Sequence, residues 1–288
     1  MLRHLPLVAE LTKYKLSLAV ALSSVTGYFL CSNVTDQSLL FAAAGVFLLS
    51  SGAAALNQYT ERKTDSLMQR TGSRPLPTQR ITENSALLIS FVLMTSGCII
   101  LLFNGPVPFF LGILNVLLYN LIYTRLKRKT ILAIIPGALV GAIPPMIGFS
   151  SAGGSLVHPY ILAFSGFMFL WQLPHFWLLI IKYGKEYNAA GFATISDWLS
   201  EREIRMLVFF WVLFSTSLLL LFFAVADTPP YAIFVPVILL NILFIILFYR
   251  LLFITESEGE IRGAFIVINL FSLALMILII GASIFNII

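Results

Sequence analysis

The sequence predicts an all-α integral membrane protein with nine transmembrane helices. Of its 288 residues, 59% are hydrophobic and only 11% are charged, and the mean hydropathy is +0.95. Soluble domains are roughly 45–50% apolar and about 25% charged, so a soluble globular protein is excluded. Several stretches also reach the length of about 20 apolar residues that a helix needs to cross a bilayer.

Nine predominantly apolar stretches account for the predicted helices. They lie at about 16–31, 38–58, 84–103, 107–124, 130–150, 156–181, 205–226, 231–249 and 263–285. Turn-forming residues separate three neighbouring pairs, at Asn104-Gly105-Pro106, Gly153-Gly154-Ser155 and Thr228-Pro229-Pro230. Because no soluble domain lies between the stretches, we expect one transmembrane domain over residues 1–288, built from two four-helix halves at about 12–129 and 130–250 and a ninth helix.

The distribution of charge predicts the orientation in the membrane. All 18 Lys and Arg residues fall before the first stretch or after the second, fourth, sixth and eighth. The positive-inside rule therefore places the N-terminus and the polar loops in the cytoplasm and the C-terminus outside. This basic face accounts for the net charge of +5, so we expect no nucleic-acid partner.

Two further features bear on the cellular compartment. The first stretch lacks a small-residue cleavage site, and no presequence rich in Arg and Ser precedes it, which favours an uncleaved helix in a bacterial inner membrane. Cys31 and Cys98 both lie in apolar stretches and offer neither a disulfide framework nor a cysteine zinc site.

The most informative polar residues follow the second apolar stretch. Asn57, Glu61 and Asp65 are spaced at i, i+4 and i+8, so on a helix that continues out of the membrane their oxygen atoms share one face. Mg²⁺ prefers oxygen ligands and usually takes one or two carboxylates together with water and substrate phosphates. Arg70 and Arg74 offer guanidinium groups that suit phosphate oxygens. The alternative is a set of solvated charges on a loop.

Two other polar elements stand out. The motif Trp171-Gln172-Leu173-Pro174-His175 places a histidine in an apolar stretch, where ionisable residues are functional hypotheses, and a hydrogen-bonded core histidine is the alternative. A loop with Lys185-Glu186-Tyr187 is expected after it. In the third element, Tyr123 and Lys127-Arg128 precede glycines at 137 and 141 that predict close helix packing. A basic membrane anchor is the alternative for these charges.

Together these motifs resemble the signatures of the UbiA superfamily of intramembrane prenyltransferases, in the form found in protoheme IX farnesyltransferases. The first signature covers the string from Asn57 to Leu76. The resemblance implies a UbiA-type bundle around a central cavity. It also implies Mg²⁺-dependent transfer of a farnesyl group from farnesyl diphosphate to the vinyl group of haem b, which gives haem O for the assembly of haem-copper terminal oxidases.

The resemblance also assigns roles to individual residues. It implies metal binding and catalysis by Asn57, Glu61, Asp65 and Glu186, diphosphate binding by Arg70, Arg74, Tyr123, Lys127, Arg128, Lys185 and Tyr187, and haem binding by Trp171, Gln172 and His175. Glu186 stands where the family usually has Asp, and Ala133 where it usually has Asn. The implied partners are farnesyl diphosphate, haem b and the bilayer, with haem A synthase or terminal oxidase assembly factors as candidate protein partners.

Three other functions are compatible with parts of this pattern. The closest is a UbiA-type transferase that prenylates a quinone precursor or a chlorin. A secondary transporter would also have many helices and half-buried polar residues, but its charges are expected near the bilayer midplane. A haem carrier without activity would not need the oxygen-rich face of Asn57, Glu61 and Asp65.

Overall fold

The computed structural model describes residues 5–225, 231–255 and 259–286, and every regular element in them is helical. The α-helices are α1 Leu5–Leu11, α2 Tyr14–Phe29, α3 Gln37–Asp65, α4 Gln69–Gly72, α5 Glu83–Phe103, α6 Pro106–Leu117, α7 Thr124–Leu126, α8 Ile134–Ser151, α9 Pro159–Ala189, α10 Glu201–Val225, α11 Tyr231–Phe253 and α12 Glu260–Ile284. A π-helix, Leu118–Tyr123, joins α6 to α7, and 3-10 turns lie at Ile131–Ala133 and Ile195–Asp197.

The predicted apolar stretches correspond to these long helices. Within the described ranges, eight helical segments are long and apolar enough to cross a membrane, which makes the chain a multi-pass membrane protein. The first predicted span corresponds to α2, a shorter helix of 16 residues, so the count of nine spans stays a prediction, as does the orientation. Arg3, residue 226 and the turn Thr228-Pro229-Pro230 lie outside the described residues.

One predicted boundary was wrong. The sixth span was expected to end at 181 and to be followed by a polar loop, but α9 continues to Ala189 and includes Lys185-Glu186-Tyr187. Pro174 lies inside α9, and the helix continues beyond it to Ala189. Gly191 follows with a φ of +79° in the left-handed region, a conformation in which glycine commonly follows a helix end. The second polar element is therefore carried on rigid helix.

The long helices form a closed ring. Each packs against the next in the order α2, α3, α5, α6, α8, α9, α10, α11 and α12, and α12 returns to α2. The larger apolar core lies between the four helices α9, α10, α11 and α12 and includes Phe167, Trp171, Phe244 and Phe271. A smaller core around Leu49, Leu101 and Ile147 joins α3, α5 and α8. This arrangement leaves a space between α2, α3, α6, α8 and α9.

Two glycines allow α2 and α8 to touch across the ring. A Cβ atom on Gly27 would lie 2.0 Å from the carbonyl oxygen of Pro145, and one on Gly148 would lie 1.7 Å from that of Ser24. These distances exclude any larger side chain while the helices keep their positions. The α2 to α8 contact therefore depends on both glycines.

The glycines predicted to bring helices together, Gly137 and Gly141, have another role. A Cβ atom on Gly137 would lie 2.9 Å from the ring of Tyr123, and one on Gly141 would lie 2.5 Å from Nε2 of Gln172. They make room for side chains on the inner wall of the bundle, and the backbone contact lies elsewhere on α8.

Candidate active site

A cavity of about 400 Å³ lies inside the ring of helices. Its inner part is lined mainly by small and apolar residues, among them Val20, Val46, Leu49, Ala53, Gly112, Val116, Ile147 and Leu179. The end of the cavity at the C-terminus of α3 is polar, with Lys13, Asn57, Glu61, Asp65, Arg70, Arg74, Tyr119, Tyr123, Lys127 and Tyr187. The site thus joins a charged mouth to an apolar chamber.

The predicted oxygen-rich face of α3 lies at this mouth. Asn57, Glu61 and Asp65 are exposed by only 2%, 4% and 1%, and all three line the cavity. Lys127 Nζ lies 2.7 Å from Glu61 Oε1, and Arg74 Nη1 lies 2.7 Å from Asp65 Oδ2. Buried carboxylates need such partners, so the interpretation as solvated loop charges is wrong for these three residues.

The π-helix holds Asn57 in place from the opposite wall. The hydroxyl of Tyr119 donates to Asn57 Oδ1 at 3.1 Å, and Asn57 Nδ2 donates to Thr124 Oγ1 at 3.2 Å. The rings of Tyr119 and Tyr123 are stacked with centroids 5.9 Å apart. Short π-helical segments are frequent at functional sites, and this one fixes the amide and aligns two aromatic faces beside the carboxylates.

The first and second polar elements meet at the mouth. The backbone N–H of Arg70 donates to Glu186 Oε2 at 3.3 Å, and Arg70 Nη2 donates to the hydroxyl of Tyr187 at 2.7 Å. The guanidinium also lies 5.4 Å from the ring centre of Tyr183. The segment after α3 is thereby attached to the end of α9. Glu186 itself faces this segment and is not among the residues that line the cavity.

The Trp-Gln-x-Pro-His motif is divided between two faces of α9. Gln172 and His175 line the cavity, and the His175 ring lies 4.5 Å from that of Phe265. In the described part of the chain, His175 has no hydrogen-bond partner, so the structure does not support the alternative of a hydrogen-bonded core histidine. Trp171 lies in the apolar core between Phe244 and Phe271, and the structure does not bring it to the cavity.

Two predicted basic residues also lie away from the cavity. Arg128 is exposed and donates to Thr64 Oγ1 at 2.7 Å, and Lys185 is exposed on α9. Of the predicted diphosphate ligands, the cavity is lined by Arg70, Arg74, Tyr123, Lys127 and Tyr187.

The sequence interpretation missed Lys13 and Tyr119, and both line the mouth. Lys13 was counted only as a charge in front of the first helix. Its pKa is lowered to about 7, first by removal from water and then by the charges of Arg74 and Lys127, while the carboxylates of Glu61 and Asp65 oppose the shift. The sequence offers one signal for Lys13, a lysine at the start of an apolar stretch. An ordinary membrane anchor has the same pattern, so this signal does not identify a cavity residue.

The donor atoms at the mouth fit Mg²⁺ with a diphosphate. No group of three or more His, Cys, Asp or Glu side chains that could hold a metal occurs within the described ranges. Mg²⁺ does not need one, because it is usually bound by one or two carboxylates, with water and phosphate oxygens completing its shell. The carboxylates of Glu61 and Asp65 and the fixed amide oxygen of Asn57 would supply the protein's share of the ligands.

A closed helical ring around a cavity with a charged mouth defines the class of the protein. The chain belongs to the UbiA prenyltransferase family, whose sequence model matches residues 20–271. A solved structure of a UbiA homologue from Archaeoglobus fulgidus bound to GPP and Mg²⁺ has the same fold. Its TM-score is 0.76 at 14% identity, over 96% of this chain and 99% of that one.

Two curated relatives within this family are similar to the chain in sequence. The chain is 40% identical over 177 residues to a protoheme IX farnesyltransferase from Geobacter sulfurreducens, a match that covers 62% of this chain and 66% of the relative. It is 34% identical over 214 residues to one from Oleidesulfovibrio alaskensis, which covers 74% and 76%. The matched stretches therefore span about two thirds to three quarters of the length of these two relatives.

Proposed function

We propose that the protein transfers a farnesyl group from farnesyl diphosphate to the vinyl group of haem b and so produces haem O. The observation that carries this proposal is a cavity in which the charged mouth around Glu61 and Asp65 opens into an apolar chamber beside His175. The mouth suits a diphosphate and the chamber suits a prenyl chain. The two curated relatives carry the name protoheme IX farnesyltransferase.

The ionic contacts at the mouth suit the departure of a diphosphate. Mg²⁺ bound by Asn57, Glu61 and Asp65 would neutralise charge that develops on the leaving oxygen. Glu186 would hold the segment after α3 through the backbone N–H of Arg70. Arg74 pairs with Asp65 and Lys127 pairs with Glu61 in the structure. These two cations would hold phosphate oxygens of the diphosphate, and the two carboxylates would hold the metal. Arg70 and Tyr187 close the outer side of the same anion site, and we include Arg128 and Lys185 as outer basic residues that attract the anion.

The cavity also suits the farnesyl cation that forms when the diphosphate leaves. Loss of diphosphate breaks the bond between carbon C1 and oxygen and leaves an allylic cation, which water would destroy. The stacked faces of Tyr119 and Tyr123 lie directly beside Asn57, where they stabilise positive charge through their π electrons. The apolar wall beyond them keeps bulk water from the prenyl chain.

His175 and Gln172 are the proposed binding residues for the acceptor, haem b. His175 presents an imidazole without a hydrogen-bond partner, in the part of the chain that the structure describes, to the same cavity. It holds haem b so that a vinyl carbon faces C1 of the farnesyl cation. The vinyl group forms the new carbon–carbon bond, and one water molecule adds to the resulting cation with loss of a proton, which gives the hydroxyethylfarnesyl group. Trp171 supports the wall from the core behind it.

We further propose that the protein works in a bacterial cytoplasmic membrane with the charged mouth facing the cytoplasm. Prenyl diphosphates are charged and reach such a mouth from the aqueous side, whereas the apolar chamber accepts their chains. The one-sided distribution of Lys and Arg supports this orientation. Haem A synthase or terminal oxidase assembly factors are the protein partners that would receive haem O.

The proposal is tested with purified protein in detergent, haem b, farnesyl diphosphate and Mg²⁺. We expect a haem that carries a hydroxyethylfarnesyl group, detected by mass spectrometry, and no such product when EDTA removes the metal. Consumption of the donor only when a quinone precursor or chlorin replaces haem would identify the rival transferase. No consumption of the donor with any acceptor would rule out both transferases and favour a haem carrier or a transporter.

A further inference from the structure

The corner between α1 and α2 has an unusual backbone. Lys13 has a φ of +49° and a ψ of +49°, the left-handed region that residues other than glycine adopt rarely. Its carbonyl accepts the backbone N–H groups of Leu16 and Ser17 at 2.8 and 3.1 Å, so α2 begins directly from this corner. Unusual backbone conformations persist only where surrounding contacts hold them, and they cluster at functional sites.

Gln58 holds this corner from the neighbouring helix. Its Nε2 donates to the carbonyl oxygens of Glu10 and Leu11 at 3.0 and 2.8 Å, and both Gln58 and Leu11 are buried. Gln58 follows Asn57 on α3. The corner is therefore attached to the same turn of helix that presents the first oxygen of the proposed metal site.

Among the described residues, Lys13 is the basic residue at the mouth whose side chain makes no hydrogen bond or ion pair. Four basic side chains line the cavity, at positions 13, 70, 74 and 127. Arg74 and Lys127 pair with carboxylates and Arg70 with the hydroxyl of Tyr187. Lys13 makes no side-chain hydrogen bond or ion pair with any residue that the structure describes. A cation withdrawn from water is costly unless an anion meets it.

We propose that Lys13 binds an oxygen of the prenyl diphosphate and that Gln58 is the positioning residue that holds Lys13 at this place. This inference rests on the proposed function. The diphosphate carries more negative charge than the two paired cations can meet while Glu61 and Asp65 remain beside them. Lys13 comes to the anion site from the corner before α2, whereas Arg70 and Arg74 lie on the segment after α3.

The test measures the affinity of the purified full chain for inorganic pyrophosphate with Mg²⁺, by calorimetry, and for haem b by its absorption spectrum. Lys13→Met should weaken pyrophosphate binding by roughly 10- to 100-fold, the usual effect of losing a hydrogen bond to a charged group, and leave haem affinity unchanged. Lys13→Gly should show the same loss, and because glycine suits the left-handed corner, misfolding would not explain it. Lys15→Met is the matched control, since Lys15 is exposed outside the cavity.

Gln58→Leu tests the positioning role. It should weaken pyrophosphate binding by itself, and adding Lys13→Met to it should cause little further loss, because both changes remove the same contact. Additive losses would overturn the role of Gln58. The role of Lys13 would be overturned if Lys13→Met and Lys13→Gly bound pyrophosphate as tightly as the wild type, or if they lost affinity only for haem. A wild-type chain that binds no pyrophosphate would overturn this inference together with the proposed function.

Discussion

Asp65→Asn should reduce haem farnesylation by roughly 10²- to 10³-fold, the usual effect of removing one preorganised charged group from a reaction site. The substitution keeps the size of the side chain and removes the charge that lies 2.7 Å from Arg74. The metal would lose a carboxylate ligand, and Arg74 would lose the partner that orients it. Asn57→Ala should have a similar effect, because it removes the amide oxygen that Tyr119 holds.

The rate is measured in membranes that contain equal amounts of inserted protein. Glu83→Gln is the matched control, because it neutralises an exposed carboxylate that pairs with Arg62 outside the cavity. Its rate should equal that of the wild type. Near-normal rates for both Asp65→Asn and Asn57→Ala would remove the two residues from the metal site.

His175→Ala should impair the use of haem more than the binding of the prenyl diphosphate. The imidazole lines the cavity beside Phe265. The proposed anion site is built from other residues, on α3, the segment after it, the π-helix, the turn after α7, the end of α9 and the corner before α2. We expect haem affinity to fall by roughly tenfold or more, which corresponds to about 1.4 kcal/mol or more. Binding of pyrophosphate with Mg²⁺ should stay within about twofold of the wild type, which is about 0.4 kcal/mol.

Spectroscopic titration with haem b and calorimetric titration with pyrophosphate separate the two effects. His158→Asn is the control, because His158 caps α9 at its far end and asparagine retains a capping side chain. Unchanged haem affinity and turnover in His175→Ala would leave this histidine a packing role only.

Much of the fold and part of the site follow from the sequence. Long apolar stretches leave a chain few choices in a bilayer, because every backbone polar group must be satisfied within a helix. The oxygen-rich face of α3 was also predictable, since a spacing of four residues fixes which side chains share a helix face. The same rule places Trp171 and His175 on one side of α9, four residues apart. Their separation, with Trp171 in the apolar core and His175 at the cavity, depends on the packing of the neighbouring helices.

Other features depend on contacts that the sequence does not contain. In the sequence Lys13 resembles an ordinary membrane anchor. Its place at the cavity depends on the fold, in which Gln58 donates to the carbonyl groups of Glu10 and Leu11 at the corner before α2. The contact of Glu186 with the backbone of Arg70 joins residues 116 positions apart. The charged residues after 181 predict the end of the sixth span, but Lys, Arg and Glu favour helices outside the membrane, and α9 continues to Ala189.

The most direct test of the central claim is the haem content of membranes from a bacterial strain that lacks its own haem O synthase. Expression of this chain should restore haem O, as expression of the Geobacter sulfurreducens relative is expected to do, and the Asp65→Asn variant should not. The assignment of haem as the acceptor would be contradicted if the membranes contained the inserted wild-type protein but only haem b. This conclusion requires that the Geobacter sulfurreducens relative restores haem O in the same strain.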